Sequence, residues 1–99
     1  MIVRVIAIKI LKDFWQKHKK AEQPLSAWYY EAKKAKWTKP GDIKENYKSA
    51  SILKGNRVVF DICGNTYRLV VKINYKYSMV YIRFIGTHSE YDKINAEEI

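Results

Sequence analysis

One alternating stretch constrains this chain more than anything else in it. Residues 56–63, NRVVFDIC, and residues 66–73, TYRLVVKI, flank Gly64-Asn65. Gly-Asn closes tight hairpins because both residues tolerate positive φ. With Gly64-Asn65 as the loop, the register is fixed. Ile62 opposes Tyr67, Asp61 opposes Arg68, Phe60 opposes Leu69, Val59 opposes Val70, Val58 opposes Val71 and Arg57 opposes Lys72. Side chains alternate along a strand, so Val58, Phe60, Ile62, Tyr67, Leu69, Val71 and Ile73 share one face. That face is the expected core. Arg57, Val59, Asp61, Arg68, Val70 and Lys72 take the other.

Residues 79–85, MVYIRFI, continue the pattern. Val80, Ile82 and Phe84 are expected inside, with Met79, Tyr81 and Arg83 outside. The connection 74–78 has no glycine, so its register is open. The outward face gathers cations at a cost: Arg57 opposite Lys72 is unfavourable by a few tenths to about 1 kcal/mol. Arg83 adds a third charge nearby, and Asp61 is the compensating one. A bound anion would reverse the sign of that effect.

Ahead of this stretch lie two helical patterns. Residues 2–6, IVRVI, are β-branched and short, which predicts a strand. From Ala7 the period changes, and Ala7, Ile10, Leu11, Phe14, Trp15 and His18 form a helical stripe. A second helix is expected to start near Glu22–Pro24, burying Ala21, Leu25, Trp28, Ala32 and Ala35, because proline is tolerated in a first turn. Pro40-Gly41 breaks the pattern. A short helical turn over 42–47 and a weak strand over 49–53 follow. Beyond the last strand, Thr87 and Glu90 have the spacing of a capping box. A short helix should therefore begin at His88, with Tyr91 and Ile94 one turn apart and Ile94 docked on the core. The order of elements reads as α+β: a single domain over residues 1–99, with an antiparallel meander late in the chain and helices early.

Composition narrows the function. Nineteen Lys and Arg against ten Asp and Glu give a net charge of +9, which attracts polyanions and points to nucleic acid or an acidic partner. The single cysteine, Cys63, leaves no internal disulfide, and no Cys/His spacing suits zinc. No P-loop, G-x-S-x-G or H-E-x-x-H is present. The cations are spread along strands rather than one helix face, which argues against a membrane role. Metal-free RNA cleavage fits the residue types. In that reaction the 2′-hydroxyl attacks the adjacent phosphate, so the protein must orient the chain, stabilise charge on phosphorus and move two protons. Arginine and lysine suit the second task, and histidine and tyrosine the third. Tyr81 or Tyr91 could also stack a base.

The quoted segments carry a resemblance. NRVVFDICGNTYRLVVKINY (56–75) and YIRFIGTHSEYDKI (81–94), with FWQKH (14–18), AWYYEAKKAKW (27–37) and the region 42–53, resemble the HigB family of bacterial toxins within the RelE-like ribonucleases. The resemblance covers about residues 3–95. It implies a small twisted, mainly antiparallel sheet, two N-terminal helices packed on one face and a short C-terminal helix. It also implies a cytoplasmic endoribonuclease that cuts mRNA, commonly on the translating ribosome. No metal or organic cofactor is implied, and the partner is a cognate antitoxin, expected to be a helix-turn-helix protein. By position, Arg68 matches a strand arginine that contacts the scissile phosphate. His88 and Tyr91 fall among the terminal catalytic groups, with base and acid unassigned between them, and Asp92 is a candidate orienting group. The face argument adds Arg57, Lys72, Tyr81 and Arg83 as RNA-binding residues. The rival reading is a basic RNA- or DNA-binding module that uses the same face and cleaves nothing.

Overall fold

The computed structural model describes residues 4–99. Residues 2 and 3 of the expected first strand therefore lie outside the described part. The elements are β1 (Arg4–Ile6), α1 (Ile8–Lys17), α2 (Glu22–Lys34), α3 (Pro40–Asn46), β2 (Ser51–Ile52), β3 (Arg57–Ile62), β4 (Tyr67–Asn74), β5 (Met79–Thr87) and α4 (His88–Tyr91). One five-stranded sheet has the order β1-β5-β4-β3-β2. All pairings are antiparallel except β1 with β5. This is the α+β arrangement expected from the sequence.

The β3–β4 register is the one set by the hairpin, from Arg57↔Lys72 to Ile62↔Tyr67. The turn itself differs in detail. Positive φ falls on Cys63 (56°) and Gly64 (68°), not on Gly64 and Asn65. The preceding Gly55-Asn56 pair does take positive φ at both residues, 70° and 62°. Leu53 N–H donates to the Arg57 carbonyl across it at 2.8 Å.

α1 and α2 cover the inner face. Leu11, Leu25, Trp28 and Ala32 are buried against Val58, Phe60, Leu69, Val71 and Ile82. Trp28 meets the Phe60 ring edge-on at 5.4 Å, and Trp37 stacks on the same ring at 6.0 Å. The expected α1 stripe is narrower than its pattern. Leu11 is buried, Phe14 and Trp15 are half-buried, and Ala7 and Ile10 are exposed.

The outer face departs from expectation in two ways. A β-bulge lies between Val70 and Val71 in the β4–β5 pairing: Val71 opposes Ile82 but Val70 opposes Phe84. The extra residue, Arg83, reverses the parity beyond it. Phe84 therefore leaves the inner core, where alternation had placed it, and Ile85 takes the inward position. The second departure is a lid. Val59 and Val70, nominally outward, are 1% and 0% exposed, because residues 91–99 fold back over them. Phe84, Tyr91, Ile94, Ala96 and Ile99 pack there as a small second core. Ile94 thus docks on this outer cluster, not on the main core. Burying a valine contributes roughly 1.5–3 kcal/mol, a gain that favours the docked tail.

Candidate active site

The lid divides the outer face. At one end stands Arg68 on β4, directly opposite Asp61 on β3. The Arg68 guanidinium donates from Nη1 to Asp61 Oδ1 at 2.6 Å and from Nη2 to Asn65 Oδ1 at 2.9 Å. Its Cζ lies 5.6 Å from the centre of the Tyr91 ring. Both partners of the ion pair are largely screened from water, at 19% and 20% side-chain exposure. The buried Arg68 Nε has no hydrogen-bond partner among the described residues. A planar guanidinium held this way is fixed in direction, and an incoming anion would share it with Asp61.

The adjoining helix is α4, and the sequence explains why it starts where it does. Thr87 and Glu90 form the expected capping box: Glu90 N–H donates to Thr87 Oγ1 at 3.2 Å, and Thr87 N–H donates to Glu90 Oε1 at 2.8 Å. The Thr87 backbone donor is the main reason that the Glu90 carboxyl sits below its ordinary pKa, with smaller help from the Thr87 hydroxyl, His18 and Lys93. Gly86 makes the approach feasible. It opposes Arg68, and a Cβ there would lie 2.6 Å from Phe84 Cζ and 2.9 Å from Glu90 Oε1.

His88 is the first residue of α4, and its Nδ1 lies 3.2 Å from Asp92 Oδ2. A carboxylate only accepts, so a hydrogen bond across this contact is made by a protonated Nδ1, and in the neutral form of that ring the lone pair lies on Nε2. That is the tautomer a general base requires. Asp92, the candidate orienting group, is thus the residue that His88 Nδ1 faces.

At the other end of the face, Lys72, Tyr81 and Arg83 line one open hollow of about 580 Å³ together with Asn56 and Asn74. The Arg83 guanidinium carbon lies 5.8 Å from the Tyr81 ring centre. Arg68 and Lys72 are four residues apart on β4, so about 13 Å separates the two ends. Arg57 joins neither group. Its Nε and Nη2 donate to the Ile99 carbonyl at 2.9 and 2.6 Å, and its Nη1 donates to the Gly55 carbonyl at 3.1 Å. This clasp relieves the Arg57–Lys72 repulsion and anchors the lid. Among the described residues, no three His, Cys, Asp or Glu side chains are grouped to hold a metal ion.

Sequence reasoning missed Asn65 as a partner of Arg68. The signal was present: an asparagine in a tight turn, three residues before a strand arginine. It also missed the lid, whose only mark is the spacing of Ile94, Ala96 and Ile99.

The match to known proteins follows this geometry. Residues 21–94 fit the family model of HigB_toxin, a RelE-like toxic component of a toxin-antitoxin system. The chain belongs to the HigB toxin family. Among its relatives is the mRNA interferase toxin HigB of Escherichia coli K12, 30% identical over 96 residues, spanning 95% of this chain and 92% of that one. The mRNA interferases HigB of Escherichia coli O157:H7 and Shigella flexneri match to the same extent. In this HigB-family chain, the matched segment contains Arg68, His88, Tyr91 and Asp92, together with the whole meander.

Proposed function

We propose that this chain is the toxin of a toxin-antitoxin pair and an endoribonuclease that cuts mRNA without a metal, on the translating ribosome. The observation that carries the reading is the meeting of Arg68 with α4. A fixed guanidinium lies against Tyr91, one turn from a histidine whose tautomer is set by Asp92.

In the proposed reaction His88 Nε2 takes the proton from the ribose 2′-hydroxyl. The 2′-oxygen forms its bond to phosphorus as the bond from phosphorus to the 5′-oxygen breaks. Tyr91 supplies a proton to the leaving 5′-oxygen, leaving a 2′,3′-cyclic phosphate and a 5′-hydroxyl. Arg68 stabilises the charge that builds on the phosphoryl oxygens. Lys72, Arg83 and Tyr81 hold the flanking chain. The cognate antitoxin is a helix-turn-helix protein that neutralises the toxin, and the site of action is the cytoplasm. Among the described residues no helix is long and apolar enough to cross a membrane.

The test is cleavage of mRNA on purified ribosomes by wild-type, Arg68→Ala and His88→Ala protein. The wild type should cut, with cyclic phosphate ends, and both variants should fail. RNA binding without cleavage by the wild type would leave a binding module instead. Undiminished cutting by both variants would remove the site assignment.

A further inference from the structure

The candidate site leaves out the turn beyond it. Residues 75–78 join β4 to β5. The open hollow on the outer face and a second hollow of about 270 Å³ beside the C-terminal end of α2 share two residues, Tyr75 and Lys76. Lys36, Trp37, Thr38 and Ser78 complete the second. The two therefore border one another at the turn and together outline a path. Lys72 and Arg83 line the first hollow, Lys36 the second and Lys76 both.

Two properties set this path apart. Among the described residues no carboxylate lines either hollow; the Asp42 carboxylate lies behind the second one, accepting from the Thr38 N–H and hydroxyl at 2.9 Å, whereas Glu31 lines a hollow near Trp37 and Tyr47, and Asp13 and Glu90 line one at His18. The turn also presents an aromatic ring to solvent. Tyr77 is 60% exposed, with Lys76 Nζ 5.3 Å from its ring centre. Its backbone is fixed: Asn74 Oδ1 accepts the Tyr77 N–H at 3.1 Å, and the Ser78 carbonyl accepts from Arg4 N at 3.0 Å.

A groove of cations interleaved with a flat exposed ring is the chemistry of a single-stranded nucleic acid track. We propose that the RNA strand continues from the outer face over the β4–β5 turn into the hollow beside Lys36. Lys76 and Lys36 meet its phosphates, and Tyr77 stacks on a base. The inference rests on the RNA-cleaving reading and extends the contact beyond the nucleotides at the cut. An acidic segment of the antitoxin is a different occupant, and an extended groove with an exposed stacking platform favours RNA.

The test uses the His88→Ala protein, so that the RNA stays intact, with and without Lys36→Ala, Lys76→Ala and Tyr77→Ala together. All three side chains lie at the surface, and circular dichroism checks the fold. Two single-stranded RNAs of about four and about twelve nucleotides span the site sizes typical of such grooves. The triple change should weaken the long RNA at least tenfold and the short one at most twofold. The salt slope for the long RNA should fall by about 1.4, at roughly 0.7 for each of the two lysine–phosphate contacts. Equal losses on both RNAs, or no loss on the long one, overturn the track. Lost antitoxin binding with RNA affinity unchanged reassigns the turn to the protein partner and overturns it too. If the unmodified His88→Ala protein binds neither RNA, the RNA reading has itself failed and the track with it.

Discussion

The two ends of the outer face treat positive charge in opposite ways. At the Arg68 end the guanidinium is paired with Asp61, held by Asn65 and backed by Tyr91. At the Lys72–Arg83 end the cations line an open hollow that, among the described residues, contains no carboxylate. The lid over Val59 and Val70 separates them. A paired, half-dry arginine is poor at capturing a strand, because an anion must compete with Asp61, but it is already in position for a transition state. Unpaired, wet cations capture well and orient weakly. On the proposed reading the difference is a division of labour on one sheet face: the paired end would act on phosphorus and the open end would hold the strand.

The comparison can be broken most sharply at Arg68. Arg68→Ala should lower the cleavage rate by about 10²–10³-fold, a typical loss for one charge-stabilising donor, while affinity for uncut RNA stays within a fewfold of wild type in a filter-binding assay. A loss that appears mainly in affinity would erase the distinction between the ends. His88→Ala should cost at least about 10²-fold in rate. Asp92→Asn should cost less, about tenfold, with a changed pH profile, because the carboxylate sets the tautomer without touching RNA. Lys72→Ala with Arg83→Ala should do the reverse: rate at saturating substrate nearly kept, half-saturation raised about tenfold, and a salt slope lower by about 1.4 for two phosphate contacts. A smaller effect concerns acid. The Glu90 pKa is depressed from 4.5 by the capping box, so its contribution to holding α4 is present above that value and is lost as pH falls through the lower folded one. Amide exchange in residues 88–91 should therefore quicken below about pH 4.5, before the β3–β4 hairpin loosens, and Glu90→Gln should remove that dependence.

The sequence made the β3–β4 half of the fold legible because a two-residue turn and a period of two leave one register free of conflict. The capping box was legible for the same reason: its two hydrogen bonds are local. What was hidden depends on distant partners. The bulge at Arg83 carries no glycine or proline to announce it, and it becomes favourable only because Phe84 gains Val59, Val70 and the tail as neighbours. The Arg57 clasp joins residues 42 apart, beyond any local pattern. Parity alone kept Arg57 among the RNA-binding candidates, and the fold commits its guanidinium to backbone carbonyls. Arg68, His88, Tyr91 and Asp92 were named from the sequence as one group and Lys72, Tyr81 and Arg83 as another, but the lid that lies between them was not, since it is formed by residues that read as an unremarkable tail.

Gly86 has a consequence for genetics. It faces Arg68 across the ladder, yet its place is defined by the Phe84 ring and the Glu90 carboxylate: a methyl group there would have to push the ring tip and the capping-box carboxylate aside. When cells survive forced expression of a toxin, the surviving alleles record where it fails. Among them, Gly86→Ala and Gly86→Ser should recur beside changes at Arg68 and His88, as soluble proteins that no longer arrest growth. A residue with no side chain would then behave, in the tally of survivors, like a member of the active site.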